Sequence, residues 1–220
     1  MKAKSKKGFT LIELLVVITI IAMLAAGAYA GFGAIMPGVR AKQAASQATN
    51  IHKWLVGYAL ENGGGFPEGE NANAAYRELF KKSLGADEKQ FAIPNDPYHK
   101  GTPKNGPDGD IGREPEYTQA LEQGENAFAY VSGLSQSDEG RLPIIANGFV
   151  PGSAGVWTKE KRSKGGVFEG KKAVVCLVSG SSQAHDLNNG VYEVKGKYNG
   201  AEVNVFSTDY GTPATVLDPL

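Results

Sequence analysis

Residues 14–36 read LLVVITIIAMLAAGAYAGFGAIM, and no charged side chain occurs from Leu14 through Val39. At roughly 1.5 Å of rise per helical residue, about 20 such residues cross the ~30 Å hydrocarbon core of a bilayer. One membrane crossing is therefore predicted. Lys2, Lys4, Lys6 and Lys7 precede the run and hold the N-terminus on the cytoplasmic side. The same ingredients also make an ordinary secretory signal, with Ala28-Tyr29-Ala30 as a small-residue cut site and a mature chain starting at Gly31. In that alternative the remainder is a secreted enzyme or binding module.

Glu13 separates the two readings. A carboxylate at the edge of an apolar helix is costly in a membrane and calls for a charged partner, which a disposable signal does not need. A cut between Gly8 and Phe9 creates such a partner: the new α-amino group lies four residues from Glu13, about one helical turn, and is available to a neighbouring copy.

The segment Lys6-Lys7-Gly8-Phe9-Thr10-Leu11-Ile12-Glu13-Leu14-Leu15-Val16-Val17 closely resembles the class III signal of type IV pilins and type II secretion pseudopilins. That resemblance implies a prepilin peptidase cutting after Gly8, methylation of Phe9, and Glu13 setting subunit register. It also implies a structural, non-enzymatic subunit of the bacterial inner membrane, single-pass, with its C-terminal domain periplasmic or extracellular. Such subunits self-assemble into a pseudopilus or pilus through the assembly machinery of that membrane. Pilins usually carry a helix-kinking proline earlier than Pro37, so any bend is expected at Pro37-Gly38.

Beyond the bend, Ala41, Ala44, Ala45, Ala48, Ile51, Leu55 and Ala59 recur at amphipathic-helix spacing, and Gly63-Gly64-Gly65-Phe66-Pro67 stops the pattern. A second helix is expected over 72–84, then a Pro-, Gly- and Asp-rich loop from Pro94 to Pro115. Strands are expected at 127–132, 142–149, 173–179, 190–194 and 201–206. The predicted fold is α+β: a long N-terminal helix, membrane-spanning in its first half, packed on a small C-terminal antiparallel β-sheet with long loops. The boundaries expected are a leader at 1–8, the helix at 9–62 with its membrane and assembly part at about 9–36, and a globular domain at 63–220. The pilin resemblance implies the same plan. Asn95-Asp96-Pro97-Tyr98, Glu125 to Val131 and Lys171 to Ser181 are similar to bacterial prepilin-like proteins related to the major pseudopilin.

Charge and composition narrow the chemistry. The whole chain balances 23 basic against 23 acidic residues, and loss of residues 1–8 leaves 19 basic residues, a net of −4. That is no footprint for nucleic acid, which is held by clustered Lys and Arg. The single cysteine, Cys176, lies in the apolar run Ala173 to Val178 and reads as a core residue. Gly165 to Lys172 approaches a phosphate-binding loop but puts Lys172 where Ser or Thr is required, and a strand follows it. Gly180-Ser181-Ser182-Gln183-Ala184 with His185-Asp186 reads as a polar turn, not a nucleophile elbow. His52 and His99 have no partners at metal-ligand spacing. The one metal candidate is the loop 105–110, where Asn105, Asp108 and Asp110 offer oxygens to calcium; the competing reading is a solvated acidic turn. Major pseudopilins resemble this in carrying calcium in a late loop.

Overall fold

The structure, a computed structural model, describes residues 9–82, 84–94, 96, 106–187, 190–213 and 215–220; at 28–34 it describes the backbone alone. The chain divides into two compact units, residues 1–36 and 37–220. Helix α1, Leu11–Glu61, carries Pro37 within it and belongs to both.

Among its described side chains in the first unit, α1 has no polar face. Four consecutive residues, Leu14, Leu15, Val16 and Val17, are 52%, 60%, 49% and 44% exposed, and consecutive residues on a helix point about 100° apart. A helix apolar all round is stable only in apolar surroundings. The hydroxyl of Thr19 donates to Leu15 O at 2.7 Å, so the helix satisfies this polar group itself.

In the second unit α1 becomes one-sided. Ala41, Ala44, Ala48, Ile51, Leu55 and Ala59 are fully buried in the core, and the run of small alanines permits close approach to it. The helix ends where Gly63 and Gly64 take φ of 68° and 92°, the left-handed region that glycine enters without strain, and Gly64 N donates back to Ala59 O. Helix α2, Ala72–Lys81, starts at Asn71, whose side chain caps Ala74 N at 2.9 Å. It ends three residues before the expected 84.

Among the described residues seven strands follow: β1 Phe128–Val131, β2 Pro143–Asn147, β3 Lys172–Leu177, β4 Ser182–Asp186, β5 Lys195–Tyr198, β6 Ala201–Asn204 and β7 Val216–Leu217. The five-stranded antiparallel sheet has the order β4-β3-β2-β1-β7, and β5-β6 form a separate hairpin. β1 and β2 are buried along their whole length. Tyr76 of α2 stacks obliquely on Phe91 and Tyr130, and its hydroxyl donates to Ala129 O at 3.1 Å. A second aromatic group joins Phe149, Trp157 and Phe206 at centroid distances of 4.9 to 6.1 Å.

Two expectations are corrected. Ser182 to Asp186 is not a turn but a strand, pairing with β3 from Cys176↔Ser182 to Lys172↔Asp186. An edge strand is half-exposed and needs no apolar run, which hides it from a hydrophobicity reading. The strand expected at 190–194 lies instead at 195–198, because Asn199 and Gly200, at φ 49° and 83°, make the two-residue turn that sets the β5–β6 register.

Candidate functional site

At the N-terminal end, Thr10 and Glu13 form a reciprocal cap. Thr10 N and Thr10 Oγ1 donate to Glu13 Oε2 at 2.8 and 2.7 Å, and Glu13 N donates to Thr10 Oγ1 at 3.3 Å. This is the capping-box arrangement, readable from Thr-x-x-Glu ahead of an apolar run and missed when Glu13 is weighed only as a charge. The carboxylate is thus held against the backbone one residue after Phe9, which is itself exposed. Gly8 lies outside the described residues, as do the leader lysines. Among the described residues no helix is long and apolar enough to cross a membrane; the side chains of 28–34, in the middle of the charge-free run, are not among those described.

The second candidate is an acidic cluster. Carboxylate oxygens of Glu88, Asp108 and Glu125 lie within 4.8 Å of one another; Glu88 and Glu125 are buried and Asp108 is exposed. Glu88 belongs to a short 3-10 turn, Glu88–Gln90, whose start is capped by Asp87. Backbone amides hold the buried pair: Leu121 N and Gly109 N donate to Glu88 at 2.8 and 3.1 Å, and Glu122 N and Asp108 N donate to Glu125 at 2.6 and 3.3 Å. Burial pushes the Glu88 carboxyl up to about 7, and the nearby charges of Glu125 and Asp108 push the same way, against the two amide bonds.

The expected calcium residues divide. Asp108 joins the cluster. Asp110 instead uses Oδ1 to accept from Gly112 N, and its own amide donates to Asp108. Asn105 lies outside the described residues. Glu88 and Glu125 carry no sequence signal of their own, since 37 positions separate them and only the fold brings them together.

The remaining candidates are structural. Cys176 is buried in β3, and burial raises its thiol to about 12, away from nucleophilic use. His52 is buried with its ring nitrogen 2.9 Å from Val178 O, and burial lowers its pKa. His185 and Asp186 are successive residues of β4 and so point to opposite faces of the sheet. Lys172 opens β3, so the Gly165–Lys172 loop leads into a strand rather than a phosphate-cradling helix. His99 lies outside the described residues.

No curated protein and no solved structure matches the chain. One family does match, over residues 3–29, the segment holding Gly8, Phe9 and Glu13. With its capped helix, uncharged from Leu14 to Val39, this chain carries the prokaryotic N-terminal methylation motif, the prepilin-type signal of type IV pilins and pseudopilins.

Proposed function

We propose that this chain is a structural pilin-like subunit, cut after Gly8, methylated at Phe9, anchored through about residues 14–36, and assembled by packing its apolar helix against copies of itself. The assembly is a type II secretion pseudopilus or a type IV pilus, and the partners are a prepilin peptidase, the inner-membrane assembly machinery and other copies of the chain. The observation that carries the reading is the methylation motif over 3–29 leading into a helix with apolar side chains on every face. Such a helix has two settings that hide it, a bilayer and a bundle of its own kind. Glu13, already placed beside Thr10 N, is positioned to meet the amino group that cleavage exposes on Phe9.

The test is the mature N-terminus. Mass spectrometry should find a chain beginning at Phe9, and Gly8→Ala should leave the eight-residue leader in place. A mature chain beginning at Gly31 would support the secreted-module alternative, and normal processing of Gly8→Ala would contradict cleavage at this site.

A second reading is favoured by the convergence of Glu88, Asp108 and Glu125: that the cluster holds calcium. Three carboxylates this close share either a proton or a cation, and carboxylate oxygens suit a hard divalent ion. Binding to the folded state alone raises stability, by roughly 2.7 kcal/mol at a hundredfold excess over Kd. The melting temperature should therefore be higher in millimolar calcium than in chelator, and Glu125→Gln should abolish the difference. Identical melting with and without the ion would retire this reading.

A further inference from the structure

The mature chain is acidic overall, but one loop is not. Residues 159–171 hold Lys159, Lys161, Arg162, Lys164 and Lys171 against Glu160 and Glu169, a net of +3. The loop is a succession of tight turns: Ser163 N donates to Glu160 O, Gly166 N to Ser163 O and Lys171 N to Phe168 O. A Cβ at Gly166 would fall 1.9 Å from Glu160 O, so the fold demands glycine there. Val167 and Phe168 are buried and hold the loop to the core, while Lys159, Arg162 and Lys171 are exposed. Lys161 and Lys171 share Glu169 at 3.0 and 3.5 Å, which leaves that trio positive. Arg40 of α1 donates to Val167 O at 3.1 Å, and this bond places the loop beside the first turns of the second unit, where Lys42 adds another exposed cation. With Arg40 and Lys42 the group carries +5, so the rest of the mature chain carries −9. Asp186, paired with Lys172, and Glu193, bridged to Val156, border it.

Connectivity decides what this surface meets. Arg40 follows Met36 by four residues, at most about 14 Å of chain even if fully extended. If residues 14–36 occupy the bilayer, the basic loop is tethered near the headgroup layer, which adds about 5 to 8 Å on each side of the hydrocarbon core. We infer that Arg40, Lys42 and the loop 159–171 form a surface for anionic phospholipid headgroups, used while the subunit is anchored in the membrane. This rests on the anchored-subunit reading above. Basic residues beside a membrane helix are attracted to anionic lipid, and the attraction is screened by salt.

The experiment uses the full chain in nanodiscs of phosphatidylcholine, with or without phosphatidylglycerol, and follows hydrogen exchange in peptides covering 158–171. Exchange should slow several-fold in the anionic discs. The slowing should vanish at about 1 M salt, where the Debye length is about 3 Å, and in Lys159→Glu/Arg162→Glu, whose side chains make no ion pair among the described residues. Unchanged exchange in β1 shows that the variant is folded. Equal exchange in neutral and anionic discs overturns the inference, as does slowing that appears only when two copies share a disc. A chain that does not enter discs overturns the anchored reading itself, and this surface with it.

Discussion

Glu88 is a residue whose chemistry is set by its surroundings. Its carboxyl titrates at about 7 in the folded protein against an ordinary value of 4.5, because burial outweighs the two backbone amides that it accepts from. The folded state therefore keeps a proton that the unfolded state has lost between these two values. Glu88 contributes stability that is full below about 4.5 and is lost as pH climbs through about 7. In chelator, the melting temperature of the wild type should fall relative to Glu88→Gln across that window, and saturating calcium should remove the fall by replacing the proton. Comparison with the variant is essential, since buried His52 and half-buried His185, both lowered by desolvation, lose stability in the opposite direction as pH drops below 6.5. Parallel pH profiles for wild type and Glu88→Gln would show that Glu88 does not titrate in this way.

At the scale of elements, α2 is fixed in place by a polar contact, not by apolar packing alone. Asn73 is fully buried and donates to Leu121 O and Glu122 O at 2.7 and 3.1 Å, while its oxygen accepts from Asn126 Nδ2 and Leu220 N at 3.0 and 3.2 Å. One side chain thereby ties α2 to the 121–126 turns and to the segment after β7. That segment is also held by Ala72 N on Asp218 O, Gly124 N on Leu220 O and Lys164 on Pro219 O. Asn73→Ala strands several buried donors and acceptors, each worth about 1 to 3 kcal/mol when unpaired. Denaturant unfolding should show a loss of at least about 2 kcal/mol, and hydrogen exchange should quicken first in residues 215–220. A loss below about 0.5 kcal/mol, the range of ordinary surface substitutions, would mean that α2 is held by Tyr76, Leu79 and Phe80 alone. Little of this was legible in advance. The sequence marks where α2 begins, but an asparagine on a short helix does not announce a partner 147 residues away.

For the whole molecule, the decisive group is Glu13, which has two roles that substitution separates. As half of a capping box it stabilises the start of α1, a contribution of about 0.5 to 2 kcal/mol that glutamine at the same position largely keeps. As a charge it is proposed to pair with the amine of Phe9 across subunits, where losing one member of a buried pair costs about 3 to 5 kcal/mol. Glu13→Gln and Glu13→Ala should both enter the membrane and be processed normally, and both should fail to form filaments in a shear assay. Filaments from Glu13→Gln but not Glu13→Ala would make the cap, and not the charge, the element that assembly needs.

The sequence by itself determined the parts whose physics is local. The apolar run from Leu14, the stripe from Ala41 to Ala59 and its glycine stop depend on neighbours within a turn or two, and spacing alone reports them. The long helix and antiparallel sheet were legible for the same reason. Tertiary structure decided everything that rests on pairing across the chain. β4 exists because β3 supplies hydrogen-bond partners to a polar segment, not because Ser182 to Asp186 favours a strand. Asp108 meets Glu125 across 17 residues and reaches Glu88 through the Gly109 amide across 21, leaving Asp110 turned to its own loop. Burial, which moves the Glu88 carboxyl to about 7, is a property of the assembled core, and no spacing along the chain encodes it.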